Sequence, residues 1–214
     1  MPTLKIMSIN GIDLQKLSAS HVILIPIRSF SDAKSRLSAI LDASNRTNLM
    51  LDCAQKVIAA SKDLPKLVLT SDPLVQTFAQ NHGCHLIEDK GGGLNPAIQY
   101  AYNLLGEHGI EHVTIAHADL PLAQNLTNLM VKGQSTIVPD RKHDGTNVIS
   151  LPAAYDFHFS YGPNSFERHL HEARRLGLEI NVDEDPALTI DIDTPDDLVE
   201  LLNNHKFIFR HLEI

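Results

Sequence analysis

Several groups of residues in this chain have types and spacings that could do chemistry at a phosphate. The first is Arg28-Ser29-Phe30-Ser31-Asp32-Ala33-Lys34-Ser35-Arg36-Leu37, a polar loop carrying Arg28, Lys34 and Arg36. Such cations suit a polyphosphate, because they make charge-assisted hydrogen bonds to its oxygens. The loop lacks glycine and any Gly-Lys-Ser/Thr, so it is not a Walker-type phosphate loop. On spacing alone a solvated basic loop fits as well. The second is His117-Ala118-Asp119-Leu120-Pro121. A hard carboxylate at Asp119 suits Mg²⁺, or it caps the turn that follows. The third is Asp191-Ile192-Asp193-Thr194-Pro195. Alternation along a strand puts Asp191 and Asp193 on one face. Two like charges there cost energy unless a cation or donors neutralise them. A metal explains both; capping of the next helix by Asp193 or Thr194 explains one and leaves the other free for a metal.

Two further stretches could meet an anion. Asp140-Arg141-Lys142-His143-Asp144-Gly145-Thr146-Asn147 is a polar loop, and Tyr161-Gly162-Pro163-Asn164-Ser165-Phe166 reads as a helix start with Pro163 at the first position and Ser165 in the first turn. Free backbone N–H groups at a helix N-terminus bind anions; an ordinary Gly-Pro helix start is the alternative. Gly91-Gly92-Gly93-Leu94-Asn95 fits either close approach of backbone to a ligand or a plain turn.

Short apolar runs must position these loops. The runs 21–27, 66–70, 84–87 and 113–116 predict strands, with helices over 44–62 (capped by Ser44), from Pro73, and over 95–105. Strands then follow at 135–138, 147–151, 178–182 and 188–193, with helices over 163–176 and from Pro195. Alternating strand and helix predicts an α/β fold, a doubly wound and mostly parallel sheet. Ligands in such sheets bind beyond the carboxyl ends of the strands, where the Arg28–Arg36 loop and Asp119 fall. The pattern predicts one domain over 21–205, with an N-terminal extension at 1–20 and a C-terminal tail at 206–214.

Composition narrows the class. The chain has 214 residues, 18 Lys+Arg against 26 Asp+Glu, and a net charge of −8. That balance disfavours a nucleic-acid binder, which needs a basic stripe, but local cations or a bound metal still allow anionic substrates. No apolar run reaches the roughly 20 residues of a membrane helix, and no signal peptide is legible in 1–20. Two cysteines make no disulfide framework, which points to the reducing cytosol. The 12 histidines are scattered and read as surface residues. His169 and His171 do not share a helix face and are not read as co-ligands.

Taken in order, Pro26 with Ala33-Lys34-Ser35-Arg36-Leu37, Gly93-Leu94-Asn95, Ala118-Asp119-Leu120-Pro121, Asp144-Gly145-Thr146-Asn147, Tyr161 to Phe166 and Asp191 to Pro195 carry a resemblance over residues 22–202. The chain resembles the 2-phospho-L-lactate guanylyltransferase family of deazaflavin coenzyme F(420) biosynthesis. Its members are described for 2-phospho-L-lactate, phosphoenolpyruvate and 3-phospho-D-glycerate. The resemblance implies a Rossmann-like nucleotidyltransferase domain of the glycosyltransferase A type. It implies Mg²⁺-dependent transfer of GMP from GTP to a small phosphorylated carboxylic acid, with release of pyrophosphate. By motif, Lys34 and Arg36 would hold the triphosphate, with Arg28, Gly93 and Asn95 also on the nucleotide. Asp119 and Asp193 would hold Mg²⁺, with Asp191 a second candidate, and Thr146, Gly162 and Ser165 would bind the acid. Arg28 stands where the family usually has Lys, which keeps the charge and changes the geometry. A homodimer is left open.

The alternatives differ in stated features. A molybdopterin guanylyl- or cytidylyltransferase would carry a glycine-rich first loop, absent between Arg28 and Arg36. A non-catalytic nucleotide-binding protein would have lost Asp119 or the Asp191/Asp193 pair. A glycosyltransferase would place its Asp-X-Asp motif mid-chain. No residue reading guanine is legible by spacing.

Overall fold

A computed structural model describes residues 20–31, 34–130, 134–205 and 209. The expected extension at 1–20, Ser20 aside, the tail at 206–214, Phe209 aside, and Asp32-Ala33 of the basic loop lie outside the described residues. Among the described residues seven strands, β1 (His21–Pro26), β2 (Lys66–Thr70), β3 (His85–Glu88), β4 (His112–Ala116), β5 (Ser135–Pro139), β6 (Thr146–Pro152) and β7 (Ile180–Val182), form one sheet in the order β3-β2-β1-β4-β6-β5-β7. Only β6 runs antiparallel to its neighbours. The mostly parallel α/β expectation therefore holds.

Helices α1 (Ala43–Ala60), α2 (Pro73–Asn81), α3 (Leu94–Glu107), α4 (Ser165–Arg175), α5 (Pro186–Thr189) and α6 (Pro195–Asn204) complete the frame. Alternate residues of β1 explain its unbroken apolar run. Val22 and Leu24 pack with Ile98, Ala101 and Leu105 of α3 on one face. Ile23 and Ile25 pack with Ala54 and Val57 of α1 and Val75 of α2 on the other. A strand buried on both faces has no polar side to show.

The order fixes where a site can form. From β1 the chain winds outward through β2 and β3, then crosses back to set β4 on the other flank of β1. The gap between β1 and β4 is the topological switch point, where open α/β sheets bind ligands beyond the strand ends. The basic loop leaves β1 there, and Asp119 follows β4.

Three local expectations are corrected. Helix α1 is capped by Asp42, whose side chain accepts from Asn45 N–H, not by Ser44. The stretch 188–193 is not a sheet strand: Asp185 caps the short helix α5, and the extended backbone after it has no ladder partner. Helix α4 starts at Ser165, not Pro163, because Asn164 before it is left-handed (φ 57°). The basic loop also contains a 3₁₀ turn over Ser35–Ala39, which the sequence pattern did not show.

Candidate active site

A cleft of about 870 Å³ opens at the carboxyl ends of β1 to β4. It is lined by Arg28, Lys34, Arg36, Asp89, Gly93 and Asp119 among others, with Asp193 at its edge. Arg28 and Arg36 are exposed in it and pair with no carboxylate among the described residues. Both guanidinium groups therefore face the cleft without a protein counter-ion among the described residues.

Lys34 behaves differently from that expectation. Its ammonium donates to Asp119 Oδ2 at 2.5 Å and to Asp193 Oδ1 at 2.7 Å. Carboxylate oxygens of Asp119, Asp191 and Asp193 lie within 4.8 Å of one another. Three carboxylates at that spacing draw a cation, and Lys34 supplies one. Its backbone is left-handed (φ 56°), a conformation that costs a non-glycine residue energy and recurs at functional sites. Burial by itself would lower the Lys34 pKa; the charges of Asp119 and Asp193 outweigh it and hold it above the ordinary lysine value. Burial by itself would raise that of Asp119; the Lys34 ammonium outweighs it and holds the carboxyl below the usual range.

Asp191 takes no hydrogen bond from Lys34 and forms no ion pair among the described residues. Burial first, then the charges of Asp119 and Asp193, push its pKa up to about 7. In the metal-free protein the folded state therefore keeps a proton between roughly pH 4 and 7 that the unfolded chain has lost. Stability should rise as pH falls through that window, since it rises wherever the folded state binds more protons. Asp191→Asn should remove this dependence and stabilise the metal-free protein at pH 7.5 by about 1–3 kcal/mol, discounted for partial exposure. Chemical denaturation across pH 4–8 measures it. Identical slopes for the variant and its parent would exclude the charge cluster as the cause.

The sequence alternation survives the loss of the strand. Extended backbone at 190–193 still puts Asp191 and Asp193 on one side, with Ile192 buried on the other. Helix α6 is capped by Thr194 in a reciprocal box with Asp197, whose carboxylate also accepts from Asp193 N–H. Neither metal candidate is spent on capping. Asn147 donates to Leu188 O at 3.0 Å and so ties this segment to β6.

The group read as an acid site is arranged otherwise than expected. Thr146 and Ser165 are buried, at 2% and 1% exposure. Ser160 N–H donates to His169 Nε2 at 2.9 Å, so the neutral ring carries its hydrogen on Nδ1 and donates it to Thr146 Oγ1 at 3.0 Å. Burial chiefly, with the Arg168 charge, pushes the His169 pKa down to about 3, in keeping with a neutral ring. Ser165 Oγ donates to the same Thr146 oxygen at 3.4 Å. The N–H groups expected to meet an anion at the start of α4 are already engaged. Asn164 donates to Asp144 Oδ1, Phe166 to Asp144 O, and Ser165 to Gly162 O. Asp144 is thus the protein's own anion at that helix end. Gly162 remains exposed; its φ of 112° is what requires glycine, since an added Cβ would meet only Arg168 at 3.7 Å.

Asn95 is also redirected. Its amide donates to Tyr161 O at 3.1 Å and accepts from Tyr161 N–H at 2.6 Å. Both ends are used, so Asn95 braces the Tyr161–Gly162 loop against α3 and does not line the cleft. Gly91, Gly92 and Gly93 have φ of 87°, 87° and 99°, a turn for which L side chains are strained.

Three residues were missed. His117 lines the cleft, and its Nε2 is buried with no partner; the same holds for Tyr161 Oη, and their rings lie 5.1 Å apart. Burial chiefly holds the His117 pKa below the ordinary histidine value. Asp89 also lines the cleft. The surface reading of the histidines fails for His112 and His169, which are buried in hydrogen-bond networks, while His171 is exposed as the helix-face argument required.

The fold is that of nucleotidyltransferase-type α/β proteins. A structure from Methanothermobacter, a nucleotidyl transferase, superposes with a TM-score of 0.61 at 11% identity, covering 90% of this chain and 99% of that one. A protein of Desulfovibrio desulfuricans gives 0.71 at 16%, covering 90% and 91%. Residues 21–206 match the guanylyl transferase CofC-like family, and the chain belongs to it. It is 34% identical over 187 residues to a phosphoenolpyruvate guanylyltransferase of Rubrobacter xylanophilus, covering 83% of this chain and 91% of that one. It is 32% identical over 197 residues to a 2-phospho-L-lactate guanylyltransferase of Methanocaldococcus infernus, covering 89% of each.

Proposed function

We propose that the protein transfers GMP from GTP to the phosphate of a small phosphorylated carboxylic acid, in the biosynthesis of the deazaflavin coenzyme. The carrying observation is the Asp119–Asp191–Asp193 cluster, with Lys34 inside it and Arg28 and Arg36 beside it, at the switch point of a guanylyl-transferase-family fold. The relatives' names supply the acceptor class, 2-phospho-L-lactate or phosphoenolpyruvate. The free, buried cysteines Cys53 and Cys84 accord with a cytosolic setting.

The donor set fits Mg²⁺. It consists of hard carboxylate oxygens, and Asp119 Oδ1 is buried with no hydrogen-bond partner among the described residues. Asp119, Asp193 and Asp191 would hold the ion, which when bound neutralises phosphate charge as a Lewis acid. The rest of the chemistry needs no protein nucleophile, because the acceptor phosphate is largely ionised near neutral pH. One of its oxygens attacks the α-phosphorus of GTP in line; the new P–O bond forms as the α–β bridge breaks, and pyrophosphate leaves. The chain's contribution is positioning and charge. Arg28 and Arg36 hold the departing β- and γ-phosphates. Lys34 shares its charge between the carboxylates and the reacting phosphates. Gly162 edges the acceptor side, with Thr146, Ser165 and Asn95 fixing that edge from beneath.

The direct test is pyrophosphate release from GTP and Mg²⁺ with each acid separately. Turnover with at least one acid, and none without it, is expected; silence with all three would retire the reading. Arg36→Ala should raise the KM for GTP by about 10- to 100-fold, the worth of one charge-assisted contact, with little change in that for the acid. If only the acid's KM moved, the basic loop would belong to the acceptor.

A further inference from the structure

Guanine presents two adjacent donors on one edge, N1–H and the 2-amino group. A carboxylate meets two parallel donors well, as it does a guanidinium fork. Among the described residues, the carboxylates lining the cleft are Asp119, Asp193 and Asp89. The first two take the Lys34 ammonium. Asp89 pairs with no cation among the described residues, and the neighbouring Glu88 is the one that pairs with Lys90.

The placement of Asp89 is fixed from both sides. Its backbone N–H donates to Thr70 O at 3.1 Å, which holds it beyond the end of β3. Its Oδ1 accepts from Gly91 N–H at 2.8 Å, which anchors the carboxylate on the glycine turn. Ile27, Leu69, Leu94 and Ala97 line the same cleft and offer apolar walls to a flat ring. Strands β3 and β4 are three ladders apart in the sheet. At about 4.8 Å per ladder this separates the two strand ends by roughly 14 Å. A separation of that order suits a nucleoside monophosphate, whose phosphate would lie at the Asp119 end and whose base edge would lie at the Asp89 end.

We propose that Asp89 determines base specificity, its carboxylate accepting the N1–H and 2-amino hydrogens of guanine. This rests on GTP being the donor. The residue was not legible by spacing, because a single Asp after a strand carries no motif.

The test is Asp89→Asn. Asparagine keeps Oδ1 for Gly91 N–H and replaces the other oxygen with NH₂. Against guanine's 2-amino group that NH₂ sets donor against donor; against the 2-carbonyl of xanthine it sets donor against acceptor. Binding of GTP, ITP and XTP by thermal shift reads the base without requiring an acid to turn over. The parent protein should bind ITP, which lacks the 2-amino group, about 10- to 100-fold more weakly than GTP. In the variant GTP should weaken by a similar factor and XTP should bind at least tenfold more tightly than it does to the parent. A gain for XTP cannot come from misfolding. Equal binding of GTP and ITP by the parent would overturn the proposal even if the variant failed to fold. So would a variant that keeps GTP affinity, or one that folds and loses GTP without gaining XTP. GTP binding with the expected base selectivity, but no turnover with any acid, would retire the acceptor assignment and leave Asp89 in place.

Discussion

Asp119→Asn is expected to lower turnover on the order of 10²-fold or more, with the Mg²⁺ concentration for half-maximal rate displaced upward. Asp119 is the innermost of the three carboxylates, with a side chain 17% exposed against 50% for Asp193. One of its oxygens takes Lys34 and the other is buried without a partner. An amide keeps the shape and one acceptor but removes the charge proposed to attract the divalent ion. It also puts an NH₂ where the unpartnered oxygen stood. Asp193→Asn should cost less, because water already reaches half of that side chain and screens it. Rates for both variants over a Mg²⁺ titration, with parallel melting curves, separate a metal effect from a folding effect. Full activity of Asp119→Asn in the presence of EDTA would sink the metal assignment.

The two halves of the chain were not equally legible in sequence. Strands β1, β2 and β4 announce themselves because burial on both faces forces continuous apolar runs, and Asp72-Pro73 marks the start of α2 by cap and by proline. Those elements fix the switch point, so Arg28, Arg36 and Asp119 could be assigned to one crevice before any coordinates. Residues 188–193 misled because Leu-Thr-Ile-Asp-Ile-Asp has strand composition, yet no sheet edge receives it. The period-2 inference for Asp191 and Asp193 still held, since extended backbone alternates whether or not it is paired. Contacts across long separations carried no signal at all. Lys34 lies 85 residues from Asp119 and 159 from Asp193; Asn95 lies 66 from Tyr161. Spacing could name these residues as polar and poised at loops. It could not say that Lys34 would turn inward to the carboxylates, that Asn95 would brace a loop, or that Asp144 would fill the helix end read as an anion site.

Lys34→Met separates the role the structure shows for this ammonium, holding the carboxylates, from the role proposed for it at the phosphates. Methionine is unbranched and one atom shorter than lysine and carries the same left-handed backbone cost, so the change is chiefly the loss of the charged ammonium. Breaking a buried pair by removing one partner typically costs about 3–5 kcal/mol, and Lys34 and Asp119 are 8% and 17% exposed, so a loss toward the lower end is expected at pH 7.5 without Mg²⁺. The loss must depend on pH in one direction. In the parent, Lys34 holds the Asp119 carboxyl below the usual range, and that stabilisation is present above the unfolded value near pH 4. In the variant the largest opposing charge is gone, and burial acts against only the weaker pull of His117 and a backbone hydrogen bond, so the Asp119 pKa rises and protonation relieves it as pH falls. The difference in unfolding free energy between the two proteins should therefore be largest at pH 7.5 and shrink toward pH 4. Mg²⁺ should restore much of the variant's stability, because no ammonium competes for the three carboxylates. Turnover should stay low, on the order of 10²-fold down, because the ion replaces the charge at the carboxylates but not the contact to the reacting phosphates. Denaturation at several pH values, with and without Mg²⁺, reads all of this. A variant as stable as its parent at pH 7.5 in EDTA would show that the ammonium does not hold the cluster together.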